Sequence, residues 1–167
     1  MDGVVDTCNN QNNKKPFKGF SMTDYFQSPS GISREMVKRA GKALAENSHT
    51  PEQYKIAQQW RDSHAYVLNT FQGTLRRWIG NNKNIILVQR LKRMNTIQDK
   101  LATGRAKNLS SMHDLAGCRL IFDSLDELHE FRRRFHTTRA KHERINGEKY
   151  DYITNPKDTG YRGIHDV

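Results

Sequence analysis

The stretch DLAGCRLIFDSLDELHEF, Asp114 to Phe131, changes its period half-way along. Cys118, Leu120, Ile121 and Phe122 form an apolar run that only Arg119 interrupts, the pattern of a core strand. After Asp123 the apolar residues fall instead at Leu125, Leu128, Phe131 and Phe135, on one face of a helix that Ser124 caps. A strand passing directly into an amphipathic helix calls for a sheet with helices packed on it.

Upstream the chain reads as helical. Ser33 suits an N-cap, and Val37, Ala40 and Leu44 recur at helical spacing. Pro51 fits the first turn of a second, long helix, in which Ile56, Trp60, His64, Val67, Leu68, Phe71, Leu75, Trp78 and Ile79 follow at steps of three and four, until GNNKN. Ile85–Val88 is a short strand or the lead into a helix, and Thr96–Ala102 is helical before Gly104. Downstream, HERINGEKYDYIT (142–154) alternates around an Asn-Gly pair, as a hairpin or a bent strand does. The expected fold is therefore α+β, a small mixed sheet flanked by helices behind an N-terminal helical section. Residues 1–31 are expected as a partly ordered arm on which Phe17, Phe20, Tyr25 and Phe26 could dock, 32–84 as the N-terminal helices and 85–167 as the core.

Composition narrows the partners. Lys and Arg outnumber Asp and Glu by 28 to 18 in 167 residues, a formal charge of +10, which points to a polyanion such as nucleotide phosphate or RNA. Two cysteines build neither a disulfide framework nor a four-ligand zinc site, and His129, His136 and His142 lack metal-ligand spacing. With no apolar run of membrane-spanning length and no secretory signal pattern, a cytoplasmic protein away from membranes is the expectation.

Three stretches can carry chemistry. In QRLKRMNTIQDKL (89–101), Arg90 and Lys92 share a face if the backbone is extended, making a phosphate clamp or merely a pair of solvated charges; Lys100 follows one helix later. Asp114 stands just before the strand, where a carboxylate can ligate Mg²⁺ beside substrate phosphates or simply cap a turn. Arg119, inside the apolar run, must reach a site or meet an acid. The closing NPKDTGYRGIHDV (155–167) sets Tyr161 among glycines, with Lys157, Arg162 and His165 as candidate phosphate contacts, a combination suited to stacking on a base and equally found in plain turns. No G-x-x-x-x-G-K-[ST] loop is present, so nucleotide binding would not use a Walker cradle. His64 fits a hydrogen-bonded core histidine better than a ligand, and Arg132–Arg134 a solvated face better than an RNA site.

Taken in order, RLKRMNTIQDKL, DLAGCRLIF and DYITNPKDTGYRGIH resemble the R-x-K-x-x-x-S-I-x-x-K-L, D-[IL]-x-G-x-R and D-Y-I-x-x-P-K-x-x-G-Y-x-S-x-H segments of RelA/SpoT-family alarmone synthetases, from about Ile85 onward. WRDSHAYVLNTF and the RLKR wording look most like the small, toxin-type branch. The resemblance implies a nucleotidyltransferase-like fold and a pyrophosphokinase that moves the β,γ-pyrophosphate of ATP to the ribose 3′-hydroxyl of GDP or GTP, or in some toxic relatives to the 3′-CCA end of tRNA. By the same resemblance Arg90, Lys92 and Lys100 hold ATP, with Arg90, Lys92 and Asp114 forming the catalytic set. Asp114 holds Mg²⁺, while Tyr161 stacks on the acceptor base with Lys157 and His165 near its phosphates. An antitoxin partner belongs to the toxin-type branch, and a non-catalytic RNA- or nucleotide-binding module is the alternative outside enzymes. Two features depart from the family pattern. Tyr150 stands where most relatives have Lys, with Lys149 on the opposite side of a strand. No E-x-Q-x-R-T segment with its second carboxylate occurs, so the core is expected to be truncated at its C-terminal side and weakly active or inactive alone.

Overall fold

The computed structural model describes residues 29–137 and 150–166. Phe17, Phe20, Tyr25, Phe26, Lys149, His142 and the Asn-Gly pair of the expected hairpin lie outside them. Among the described residues the architecture is α+β: two helices, a strand, a helix, a second strand and a last helix.

The N-terminal helices are set by their caps. Helix α1, Arg34–Ala45, begins where the Ser33 hydroxyl accepts from the Met36 amide. Helix α2, Pro51–Ile79, carries proline in its first turn and a complete capping box, in which Thr50 and Gln53 each receive the other's amide. It ends at Gly80, whose φ of 60° is open to glycine at little cost. Val37, Ala40 and Leu44 of α1 and Ala57 and Trp60 of α2 are buried together with Ile97 and Leu101 of α3, Met94–Ala102, and with Leu109, Met112 and Leu115. α1 therefore packs against α2, against α3 and against the 3₁₀ turn Leu109–Ser111. His64 behaves as a core histidine: its Nδ1 lies 2.8 Å from the Trp60 carbonyl, and burial holds its pKa below the usual imidazole range.

The strands β1, Ile86–Leu91, and β2, Ala116–Ile121, pair antiparallel with Ile86 opposite Ile121, Val88 opposite Arg119 and Arg90 opposite Gly117. The apolar run of β2 suggested a strand covered on both sides, but its burial alternates residue by residue. α2 covers one face, while among the described residues the other exposes Ile86 (54%), Val88 (45%) and Ile121 (47%) together with Arg90 and Arg119. Ser124 accepts from the Glu127 amide and caps α4, Leu125–His136. Phe131 and Phe135 of α4 meet Trp78 of α2 at ring-centroid distances of 6.3 and 5.9 Å, and Phe71 and Phe122 complete this second apolar contact. Leu125, expected on that face, is exposed at the helix start. No helix is long and apolar enough to cross a membrane.

Two glycines test this packing with opposite signs. A Cβ on Gly41 would sit 2.7 Å from Leu109 Cβ and 3.2 Å from its backbone nitrogen, whereas one on Gly73 meets nothing within 4 Å. Gly41→Ala is expected to lower stability by about 1–2 kcal/mol, overpacking outweighing the helix-propensity gain. Gly73→Ala should raise it by about 0.5–1 kcal/mol; denaturant titration reads both.

Candidate functional site

Lys92 is the one buried charged residue among those described, and all of its polar groups are engaged. Its amide donates to the Leu115 carbonyl (2.7 Å), its carbonyl accepts from Arg61 Nε (2.6 Å), and its ammonium donates to Asp114 Oδ2 at 2.8 Å. The Lys100 ammonium, brought in from the last turn of α3, donates to the same oxygen at 2.7 Å. One carboxylate thus answers two cations, and it is itself half-exposed. Burial would raise the Asp114 pKa, but hydrogen bonds from Lys100 and Lys92, together with their charges, outweigh it and hold the carboxyl below its ordinary range.

Arg90 stands two residues before Lys92, exposed at the end of β1 and opposite Gly117. A Cβ on Gly117 would meet nothing within 4 Å, so the sheet surface beside Arg90 is open. Arg119, opposite Val88, shares that face, because paired residues of an antiparallel ladder point to the same side. It meets no acid within the described residues and contributes its charge at the surface instead.

The closing segment folds as a loop pinned at its neck. Asp151 bridges to Ile164, the Tyr152 amide donates to the Gly163 carbonyl (2.9 Å), and the His165 amide donates to the Tyr150 carbonyl (3.1 Å). Asp151 Oδ1 accepts from the amides of Ile153 and Thr154, which starts the turn. Tyr152, Tyr161 and His165 form a three-ring cluster with centroid separations of 5.4–5.9 Å, all edge to face. The Tyr161 hydroxyl and His165 Nε2 are 2.9 Å apart, and Lys157 Nζ lies over the Tyr152 ring at 4.1 Å and near that of Tyr161 at 5.6 Å. Burial first, then the charges of Lys157 and Arg119, hold His165 below the usual imidazole range.

Residues 89–167 match the family described as the region found in RelA / SpoT proteins. This part of the chain is a RelA/SpoT domain. No curated protein matches the chain significantly. The RelA/SpoT match begins within β1 and takes in α3, β2, α4 and the closing loop; α1 and the whole of α2 precede it. All seven candidate residues, Arg90, Lys92, Lys100, Asp114, Lys157, Tyr161 and His165, fall inside it.

The fold gathers these residues into two groups: Lys92, Lys100 and Asp114 are in direct contact, and so are Lys157, Tyr161 and His165. Arg90 forms no ion pair with either group. Arg162 is exposed and makes no contact with the ring cluster. Sequence reasoning missed Tyr152, although it stands in the quoted DYI directly after Asp151, where a second ring near Tyr161 could have been flagged. It also missed Arg61 and the pairing of Arg132 with Asp166. Arg132, read as part of a solvated face, is largely covered and bound to Asp166, while Arg133 and Arg134 are exposed.

These environments fix the acid response. His64 and His165 have lowered pKa values, so their share of stability is present above the unfolded histidine value and is lost as pH falls through the folded ones, starting near about 6.5. Asp114 and Asp166 are also lowered, so theirs is lost from about pH 4 downward. Urea midpoints measured across pH should fall in two stages on acidification. His64→Gln should shrink the first and Asp114→Asn the second.

Proposed function

We propose that this RelA/SpoT domain transfers the β,γ-pyrophosphate of ATP to the ribose 3′-hydroxyl of GDP or GTP. The reading rests on one observation above others: a half-exposed carboxylate held between two lysine ammonium groups, within a segment of the chain that belongs to a family of alarmone-synthetase-type pyrophosphokinases. Transfer of this kind requires in-line placement of the acceptor oxygen on the β-phosphorus while AMP leaves, and its rate comes mainly from positioning and charge stabilisation.

The residues divide the work accordingly. Lys92 and Lys100 exchange Asp114 for the phosphates of ATP, and Arg90 and Arg119 hold the remainder of the donor on the open face above Gly117. Asp114, ionised and half-exposed, is suited to a magnesium ion, which takes one or two carboxylates and completes its shell with phosphate and water. When bound, the ion would neutralise phosphate charge. The loop takes the acceptor: Tyr161, backed edge-on by Tyr152 and His165, presents a ring to the base, and Lys157 faces the acceptor phosphates. Cytoplasmic nucleotide pools are the matching environment.

The charge of +10 favours a second acceptor, the 3′ end of tRNA, as in a toxin held in check by an antitoxin protein. Incubation with γ-labelled ATP and either GDP or deacylated tRNA separates the two. Because the resemblance expects a carboxylate from an E-x-Q-x-R-T strand, the assay is run on the chain alone and on the chain joined to such a segment. The label is expected in the guanine nucleotide, with Asp114→Asn lowering the rate by about a hundred-fold or more. Label in tRNA alone would replace the acceptor. RNA binding that survives Asp114→Ala, with no transfer in either form, would replace the enzyme by a binding module.

A further inference from the structure

The closing loop is fastened to the body by a contact outside both groups of candidate residues. Asp166, directly after His165, is an exposed residue whose side chain is 26% accessible, and it accepts a forked pair from Arg132 of α4: Nη2 donates to Oδ1 at 3.0 Å, and Nε lies 3.3 and 3.2 Å from Oδ1 and Oδ2. His136, one turn further along α4, places Nε2 3.1 Å from Oδ2. On the other side of the neck Asp151, bridged to Ile164, is held by the amides of Thr154 and Ile153. One guanidinium on α4 therefore holds the C-terminal side of the neck from which the Tyr152–Tyr161–His165 cluster projects. Forked arginine–carboxylate bonds fix direction as well as distance, which a lysine in the same place would not.

We propose that the Arg132–Asp166 clasp is a positioning element that sets the angle of the closing loop against α4 and so governs binding of the acceptor nucleotide while leaving binding of ATP alone. The assignment of the loop to the acceptor rests on the function proposed above; the clasp itself is a separate matter. Two features support selectivity for one substrate. The backbone of His165, next to Asp166, donates into the loop neck, so a displacement of Asp166 is passed straight to the ring that contacts the Tyr161 hydroxyl. Lys92, Lys100 and Asp114 are fastened instead to α2, α3 and β2 and share no contact with Arg132.

The test compares Arg132→Ala, Arg132→Lys, Asp166→Asn and the exchanged pair Arg132→Asp/Asp166→Arg with the parent chain. Dissociation constants are measured by calorimetry for GDP and, separately, for a non-hydrolysable ATP analogue; amide hydrogen exchange is followed at Tyr152 and His165. The single variants should weaken GDP binding about ten-fold and leave the ATP analogue within about two-fold, with faster exchange at both amides and unchanged exchange in α4. The exchanged pair should recover most of the loss, which lost packing alone would not allow. GDP binding and loop exchange that stay at parent values in Arg132→Ala would overturn the clasp, as would equal losses for both nucleotides. If the parent chain binds no GDP, the acceptor reading falls, whereas the exchange measurement still decides whether the clasp holds the loop.

Discussion

A lysine ammonium brought under cover needs an anion close by, and the position of Lys92 imposes that need on everything around it. Its amide is committed to Leu115, next to Asp114, and its carbonyl to Arg61 of α2, so the side chain has little freedom to withdraw to solvent. Asp114 meets the requirement, and its second lysine, from α3, draws three elements to one oxygen. Removing one partner of such a pair is costly because the other stays buried and unanswered. The same arrangement is chemically poised: two cations share one carboxylate, so an incoming polyphosphate offers them more acceptor oxygens than they now have. In the function proposed, stability of the free chain and phosphate binding draw on the same three side chains.

Much of the fold could be read from local chemistry. Ser33, Pro51 and Ser124 mark helix starts because each acts on amides within its own turn, and the shift of apolar spacing after Asp123 separates β2 from α4 within a few residues. What escaped were pairings set by distant parts of the chain. Asp114 read as a metal ligand or a cap, since nothing local shows that lysines 22 and 14 residues earlier converge on one of its oxygens. Arg132 read as surface because its partner lies 34 residues away. The run in β2 looked fully covered because residue type alone does not tell how many layers lie on a sheet; here α2 covers one face, and the exposed Ile121 and Arg119 alternate with half-buried neighbours.

Arg90 and Arg119 stand on that open face beside Gly117, and Lys92 follows from the end of β1. In the loop three rings lie edge to face, braced by the Tyr161–His165 contact, with the Lys157 ammonium over the Tyr152 ring.

In the function proposed, Asp114 occupies the two lysines until phosphate takes its place, and ATP affinity without divalent metal reports on this most directly. Calorimetry in a chelating buffer should show metal-free ATP binding to folded Asp114→Asn at least as tightly as to the parent chain, because its lysines have lost their competitor, while Lys92→Met binds about ten-fold more weakly. A loss of metal-free ATP binding in Asp114→Asn as large as that in Lys92→Met would contradict the account.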